Sequence, residues 1–454
     1  MHPMHEYTEE TERLAAAVEA YARGRIADPQ PLDRPASPDE LTRRAGSTIS
    51  PRGIGGDEAL RIWADVLAPT VLSTDHPGFL AFVPGAPTKA SVLFDLAISA
   101  SSVYGGSWLE GAGAVWAENQ VLRWLADLAG MPTESGGCFA SGGTAGNLSA
   151  LVAARHAAAV ELGDARPPRW RLACTDTAHS SVVSAARVMD VDVITVPHDE
   201  RGRLTGALLR AALDADGGEG LFAVVASAGA TNAGVVDDLA GVAEVCAERD
   251  LWFHVDGAYG GGGLLAPSVR PLFDGVERAD SFIVDPHKWL FAPYDACALL
   301  YRDPAMARAA HRQDASYLDT LNASSAWNPS DFAHHLSRRA RGLPLWFSLA
   351  TYGTDAYREA VEAALALTRE TAAEITRTPN LELVMEPELS VILFRRIGWA
   401  EDDYEAWWRG LLDAQVAFVQ PTSWDGEKVA RLCFLNPRTT MDTVRQVLGP
   451  MTSG

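Results

Sequence analysis

Lys288 follows an apolar segment, a position at which a lysine amine can become reactive. Lys288 belongs to the segment VDPHKWL, beside Trp289 and shortly after the apolar run SFIV at 281–284. Lysine is seldom buried without a partner or a function, and partial loss of hydration lowers the pKa of the amine and makes it a competent nucleophile. A lysine at a strand end can also pack its stem on apolar surface and keep its charge in water. Alone, Lys288 is compatible with both roles.

An aspartate ends another apolar run. Asp256 follows WFHV, and five glycines occur between 257 and 263. In an open α/β sheet, ligands bind beyond the carboxyl ends of the strands. A carboxylate there can pair with a protonated ring nitrogen, the partner that pyridoxal 5′-phosphate (PLP) needs in order to draw electrons from Cα. A turn or a helix N-cap is the alternative role for this aspartate.

A glycine-rich loop precedes a helical pattern. Ser141, Gly142, Gly143 and Thr144 lead into AGNLSALVAARHAAA. Glycines at a helix start let backbone N–H groups approach a phosphate, whose charge the helix dipole favours, and the two hydroxyls add donors. The loop lacks the lysine of a P-loop and the glycine spacing of a dinucleotide-binding turn. By itself it is a weak indication of a phosphate site.

A histidine at a predicted helix start completes the set. His179 lies in DTAHSSV, just beyond the apolar run RLACT. Its imidazole can stack on a ring or move a proton, although a purely structural role is common at such a position. The phosphate loop, His179, Asp256 and Lys288 occur in this order, each at a strand end or a helix start. Four unrelated structural roles would have to coincide, so the combination predicts a PLP site.

The elements that position these residues alternate between strands and helices. Apolar runs occur at 171–174, 191–196, 221–227, 251–256, 281–284 and 297–301, with helical patterns at 9–24, 57–68, 114–129, from about Ala145, at 205–214 and at 238–249. This alternation predicts an α/β fold with a mainly parallel sheet covered on both faces. We expect an N-terminal helical arm over 1–88, a large α/β domain over 89–343 and a small C-terminal α+β domain over 344–454.

Composition restricts partners and location. The 454 residues carry a formal net charge of −21, which repels nucleic-acid backbones and anionic lipids. The five cysteines are widely spaced and form no C-x-x-C pair, so neither a disulfide framework nor a metal site is expected. The acidic N-terminus lacks the apolar run of a signal peptide, and no stretch of about 18 apolar residues occurs. We therefore expect a cytoplasmic protein.

The motifs around the candidate residues resemble those of the group II PLP-dependent amino-acid decarboxylases, whose best-known members act on aromatic amino acids, histidine and glutamate. The resemblance extends from about His76 to Arg438, and its sharpest motifs are HVDGAYGG and DPHKWL. HPGFLAF, GGSWLEG, SGGTAGNLSAL, AHSSV and SRRARGLPLWF support it. The family implies the fold-type I architecture of PLP-dependent transferases, with a sheet of the seven-stranded type, and an intertwined homodimer with shared active sites.

The resemblance also implies roles for the candidate residues. Lys288 would form an imine with PLP, Asp256 would pair with the pyridinium nitrogen, and His179 would stack on the ring and reach the substrate carboxylate. The remaining cofactor contacts match Ser141, Gly142, Gly143, Thr144, Ser227 and His287.

A tyrosine bears on the outcome of the reaction. Tyr317, in QDASYLD, matches a mobile-loop tyrosine of the family that protonates Cα after CO₂ leaves, acting in the neighbouring active site. The match favours formation of an amine, with His179 as the other candidate donor of that proton. An ordinary surface-loop tyrosine is the alternative at this position.

Some positions depart from the aromatic-acid members of the family. Asp285 stands where several members have asparagine, and a carboxylate near a phosphate is unfavourable unless it points away. Gly106 takes the place of a bulky pocket aromatic, while Phe82, Val83 and Tyr104 occupy other predicted pocket positions. An aromatic substrate therefore does not follow from the resemblance.

The predicted function is PLP-dependent decarboxylation of an L-amino acid to the amine and CO₂. Three alternatives stay open at this point. They are an aldehyde synthase, which couples decarboxylation to oxidative deamination, another fold-type I enzyme such as a C–S lyase or an aminotransferase, and a non-catalytic PLP-binding scaffold. A scaffold has no use for Lys288, Asp256, His179 and Tyr317 together. The sequence does not identify the side chain of the substrate.

Overall fold

A seven-stranded sheet forms the centre of the computed structural model, which describes residues 3–83, 85–313, 316 and 326–452. Its strands are β1 (Gly136–Ala140), β2 (Arg171–Thr175), β3 (Asp192–Val196), β4 (Leu221–Ser227), β5 (Trp252–Asp256), β6 (Ser281–Val284) and β7 (Cys297–Tyr301). Their order is β1-β7-β6-β5-β4-β2-β3, and β7 is antiparallel to both neighbours while the other pairs are parallel. The predicted α/β fold with a mainly parallel sheet is confirmed.

The strands read as nearly continuous apolar runs because both faces of the sheet are covered. Every residue of β6 and β7 is buried. The segment GGCFA of β1 was not predicted as a strand, since two of its five residues are glycines. Its close pairing with β7 explains one of them: a Cβ on Gly137 would lie 1.8 Å from the carbonyl oxygen of Leu299.

Helices precede the sheet and alternate with its strands. They are α1 (Glu9–Ala27), α2 (Pro38–Ala45), α3 (Gly56–Ile62), α4 (Lys89–Ser101), α5 (Trp108–Leu128), α6 (Gly143–Leu162), α7 (Ser180–Met189), α8 (Gly206–Asp216), α9 (Leu239–Glu248) and α10 (Pro304–His311). Side-chain N-caps fix several starts; Thr205, for example, accepts a hydrogen bond from the backbone of Leu208. The helices predicted at 205–214 and 238–249 are confirmed to within two residues.

A second, antiparallel sheet lies in the C-terminal part of the chain. The elements here are α11 (Leu343–Arg377), β8 (Leu381–Leu383), β9 (Val391–Arg396), α12 (Glu401–Asp413), β10 (Thr422–Trp424), β11 (Glu427–Cys433) and α13 (Met441–Thr452), and the strand order is β10-β11-β9-β8. This part has its own apolar core around Phe394, Trp407 and Leu432. Helix α11 contacts α4, which precedes the seven-stranded sheet, and β8 of the four-stranded sheet. It therefore connects the two parts of the structure. The three predicted domains and the two boundaries between them stay predictions.

Two further findings concern composition. All five cysteines are buried and unpaired. Among the described residues, no helix combines the length and the apolar character that crossing a bilayer needs.

Candidate active site

A cavity of about 590 Å³ opens at the carboxyl ends of the parallel strands. The loop between β1 and α6, the loop between β2 and α7, the ends of β4 and β5, and the loop after β6 all border it. It brings together every predicted cofactor residue, namely Ser141, Gly142, Gly143, Thr144, His179, Ser227, Asp256, His287 and Lys288. Segments that lie far apart in the sequence thus meet at one edge of the sheet, as ligand sites of open α/β folds do.

Lys288 is held by a neighbouring carboxylate. Its Nζ lies 3.0 Å from Oδ2 of Asp285, whose side chain is only 2% exposed. Burial lowers the pKa of Lys288, but the charges of Asp285 and Asp256 outweigh burial and raise the net pKa above its ordinary value. The expectation of a lowered lysine pKa was therefore wrong, because it took no account of Asp285. In this arrangement the amine is an ammonium group, and Asp285 is the nearest acceptor for its proton.

Asp285 also contacts the phosphate-loop candidate. The backbone N–H of Gly143 donates to Asp285 Oδ2 at 3.2 Å. A Cβ on Gly143 would lie 3.1 Å from both Asp285 Oδ2 and the Cβ of Ala258, so a side chain there would disturb the contact. The carboxylate points toward Lys288 and thus has a partner of opposite charge, which explains how an acid is accommodated beside this loop.

Asp256 is fixed by two donors. Its Oδ2 accepts a hydrogen bond from Asn147 Nδ2 at 2.8 Å, and its Oδ1 accepts one from the backbone of Ala258 at 3.1 Å. Asn147 also donates to Ser181 Oγ at 2.8 Å, and Ser181 Oγ lies 2.8 Å from His179 Nδ1. The carboxylate and the imidazole at the cavity are therefore joined through one buried amide.

The network continues away from the cavity. Asn147 Oδ1 lies 2.8 Å from His254 Nε2, and His254 Nδ1 lies 2.8 Å from Ser281 Oγ. The sequence analysis missed Asn147, Ser181 and His254. Spacing could have found two of the three: Asn147 is one helical turn after Thr144 on α6, and His254 shares a strand face with Asp256 two residues later.

Comparison with known proteins identifies the family. The pyridoxal-dependent decarboxylase conserved domain matches residues 56–397. An aromatic-L-amino-acid decarboxylase of Bacillus atrophaeus is 30% identical over 433 residues, which are 92% of this chain and 89% of the relative. The chain belongs to the pyridoxal-dependent decarboxylase family. It is a PLP-dependent amino-acid decarboxylase.

Two further proteins are similar to this decarboxylase over most of its length. The L-2,4-diaminobutyrate decarboxylase of Rhizobium meliloti (strain 1021) is 33% identical over 82% of this chain and 77% of its own length. The crystal structure of Oryza sativa TDC with PLP and tryptamine superposes with a TM-score of 0.88 at 25% identity, covering 98% of this chain and 97% of that chain. The predicted membership of the family, the fold and the cofactor are confirmed.

The cavity of the decarboxylase fits PLP on its own chemistry. Helix α6 begins at Gly143 without a side-chain cap from Gly142, and its N-terminal end borders the cavity, where the helix dipole would favour a phosphate, although the N–H of Gly143 itself donates to Asp285. Ser141 and Thr144 place hydroxyl-bearing residues at the same end of the cavity, and Asp256 lies at another part of its wall. Lys288 is the only lysine among the residues that line it.

Several residues that line the cavity were not predicted. They include Tyr294, Asp295, His334 and His335, together with Gly229, Ala230 and Thr231 after β4. His287 Nδ1 lies 2.7 Å from the carbonyl oxygen of Ala296, and its ring centroid lies 4.7 Å from that of Tyr294. Nothing in their local sequence patterns marks these residues, since only the folded chain brings them to the cavity.

The predicted substrate-pocket residues lie elsewhere in the single chain. Phe82 borders a second cavity of about 500 Å³, which shares His179 with the first. Val83, Tyr104 and Gly106 do not line the first cavity; Tyr104 donates to the carbonyl of Leu336 at 2.8 Å, and its ring covers the position of a Cβ on Gly106. Their assignment to the substrate pocket stays a prediction. Tyr317 lies outside the described residues.

Burial of His254 makes stability depend on pH. Burial lowers the pKa of His254 from 6.5 to about 4, although the charge of Asp256 acts in the opposite direction. Between these values the unfolded chain binds a proton that the folded chain does not, so the free energy of unfolding falls as the pH falls from 6.5 to 4. The free energy of unfolding changes by about 1 kcal/mol per pH unit, and the total loss between pH 6.5 and pH 4 is about 3 kcal/mol.

We expect a His254→Gln protein to lose this contribution. Urea unfolding of the PLP-saturated wild-type and variant proteins between pH 7 and pH 4.5 should show the stability difference narrowing as the pH falls. Two curves that stay parallel through this range would mean that His254 does not titrate below its ordinary pKa in the folded protein.

Proposed function

We propose that the enzyme converts an L-amino acid into the corresponding amine and CO₂. The observation that carries the proposal is the cavity in which Lys288, Asp256, His179 and the start of α6 meet. Relatives at 30–33% identity are named as decarboxylases of aromatic L-amino acids and of L-2,4-diaminobutyrate, which share the α-amino acid group and differ in the side chain. The proposal therefore covers the α-carboxylate and α-amine and leaves the side chain open.

We assign the cofactor contacts to the predicted residues. Bound PLP supplies an electron sink for the electron pair that remains on Cα when CO₂ leaves. Lys288 would provide the amine that holds the cofactor covalently, and Asp285, whose Oδ2 lies 3.0 Å from Lys288 Nζ, would accept the proton of that amine. Asp256 would pair with the protonated ring nitrogen, and the α6 start and the hydroxyls of Ser141 and Thr144 would hold the phosphate. The remaining lining residues assigned to the cofactor are Gly142, Gly143, Ser227 and His287.

His179 and Tyr317 carry the steps at the substrate. His179 would pack against the cofactor ring and donate a hydrogen bond to the substrate carboxylate, and so would orient that carboxylate for its release as CO₂. Tyr317 returns a proton to Cα after CO₂ has left. Phe82, Val83, Tyr104 and Gly106 contact the substrate side chain.

We also propose a homodimer with shared active sites. Helices α4 and α5 expose the apolar side chains of Leu93, Leu96, Leu109 and Trp116, which a second copy of the chain would remove from water. Val83, Tyr104 and Gly106 do not line the cavity of their own chain, which is compatible with a site completed by a second copy.

Product analysis tests the proposal. With a panel of aromatic L-amino acids, L-histidine, L-glutamate and L-2,4-diaminobutyrate, we expect one substrate class to release CO₂ and the amine in equal amounts. A Tyr317→Phe protein should form the amine more slowly and divert part of the flux, with consumption of dioxygen, to the aldehyde, ammonia and hydrogen peroxide. The loss in amine formation should be about 10²-fold or more, as for removal of a general acid.

A Tyr352→Phe protein is the matched control, because Tyr352 is exposed on α11 and does not line the cavity. It should behave as the wild type. Aldehyde as the main product of the wild-type enzyme would replace the proposed function by that of an aldehyde synthase. Transfer of the amino group without release of CO₂ would refute decarboxylation as the activity of this protein.

A further inference from the structure

A continuous line of hydrogen bonds runs from Trp252 to Asp256, and its members Asn147 and Asp256 lie at the wall of the cavity. Trp252 Nε1 lies 2.8 Å from Ser281 Oγ, and each of the following three links, through His254 and Asn147 to Asp256 Oδ2, also measures 2.8 Å. The side chains between the two ends are fully buried. At one end the indole N–H can only donate, and at the other end the carboxylate can only accept. These two ends determine which group donates in each hydrogen bond between them.

We infer that every hydrogen bond in this line has one fixed donor and one fixed acceptor. Asn147, which donates to both Asp256 and Ser181, holds Asp256 as an acceptor and, through Ser181, places the proton of His179 on Nε2. The inference deepens the proposed function and rests on the roles proposed there for Asp256 and His179. In it, Asn147, His254 and Ser281 are positioning residues that act through the two groups at the cavity.

The indole N–H of Trp252 determines which groups donate in the hydrogen bonds as far as His254. Trp252 donates to Ser281 Oγ, so the hydroxyl hydrogen of Ser281 is left for the other contact, which is His254 Nδ1. His254 Nδ1 then accepts, and its ring proton lies on Nε2. If the ring carried its proton on Nδ1 instead, Ser281 Oγ would accept from both neighbours, and its buried hydroxyl hydrogen would have no acceptor among the side-chain contacts of the described residues.

The carboxylate of Asp256 independently requires the same donors and acceptors. Asp256 Oδ2 only accepts, so the NH₂ group of Asn147 must face it, and the amide oxygen Oδ1 must face His254 Nε2. An acceptor at that position needs a proton on His254 Nε2. Burial also lowers the pKa of His254 to about 4, which excludes the doubly protonated ring at neutral pH. Two ends that share no atom thus give the same tautomer.

The branch extends the argument to His179. The second N–H of Asn147 donates to Ser181 Oγ, so the Ser181 hydroxyl donates in turn to His179 Nδ1. The backbone N–H of Ser181 also donates to the same nitrogen at 3.2 Å, which requires a lone pair there. The neutral ring therefore has its proton on Nε2. His179 lines the cavity, so it offers a donor to a substrate carboxylate.

Histidine tautomers in the wild-type holoenzyme test the direction without any substitution. In enzyme labelled with ¹⁵N-histidine, with the two resonances assigned from His179→Gln and His254→Gln proteins, we expect a protonated Nε2 and an unprotonated Nδ1 at both residues. A protonated Nδ1 at either residue overturns the inference. Since this readout needs no turnover and no contact between Asp256 and the cofactor ring, it separates failure of the inference from failure of the proposed function.

An isosteric substitution tests the branch. Asn147→Asp keeps size and shape but replaces both donors by acceptors, so PLP binding should weaken by roughly tenfold to hundredfold in a titration of the apoenzyme. Asn436→Asp is the matched control: Asn436 is also buried and donates to the carbonyl of Asp75 at 2.9 Å, away from the cavity. Its PLP affinity should equal that of the wild type. Unchanged affinity in Asn147→Asp, or an equal loss in both variants, overturns the inference.

Discussion

A Lys288→Ala protein is expected to lose both the covalent attachment of PLP and the decarboxylase activity. Among the described residues that line the cavity there is no other lysine, so no second lysine amine is placed to take over the attachment. Loss of a covalent nucleophile commonly costs several orders of magnitude, and we expect a fall in kcat of roughly 10³-fold or more. The visible absorbance of the attached cofactor should be absent at the same time.

The small number of lysines in the chain allows the attachment site to be assigned without ambiguity. The sequence has only three lysines, Lys89, Lys288 and Lys428. Borohydride reduction of the wild-type holoenzyme, followed by peptide mapping, should place the pyridoxyl group on Lys288 alone. A Lys428→Ala protein is the control, because Lys428 forms a surface ion pair with Glu401 at 3.2 Å. Label on either other lysine, or full activity in Lys288→Ala, would reject Lys288 as the attachment site.

Much of the fold follows from periodicity because both faces of the sheet are buried. Runs such as SFIV and CALLY have no polar face, and helical patterns separate them, so their types could be predicted. The strand GGCFA could not, since its place in the sheet depends on pairing with β7 more than a hundred residues later. Local sequence carries no signal for such a partner.

The candidate site was predictable to the extent that its residues occupy recognisable positions. Lys288, Asp256 and His179 follow strands or begin a helix, and the structure brings them to one cavity. The electrostatics depend on contacts across the fold: the ammonium of Lys288 is stabilised by Asp285, which reverses the expected effect of burial. The branch at Asn147 joins α6, α7 and β5, and no single segment contains that information.

An Asp256→Asn protein is expected to keep its fold and lose most of its catalytic power. The substitution removes the negative charge that would keep the ring nitrogen of bound PLP protonated, and so weakens the pull on electrons at Cα. Its NH₂ group would also face either Asn147 Nδ2 or the N–H of Ala258, both of which are donors. Loss of one preorganised electrostatic group lowers kcat by roughly 10² to 10³-fold, and we expect a fall of that size.

Asp280→Asn is the matched control for this loss. Asp280 is also a partly buried carboxylate that accepts a backbone N–H, that of Phe253 at 2.8 Å, but it precedes β6 at the edge of the sheet opposite the cavity. It should unfold more easily than the wild type and keep its kcat, because nothing at the cavity changes. If Asp256→Asn also lost stability but retained kcat with saturating PLP, Asp256 would be a turn residue held by Ala258. A normal kcat in the control and a low kcat in Asp256→Asn would instead place the carboxylate in the chemistry, since the two substitutions differ in position and not in kind.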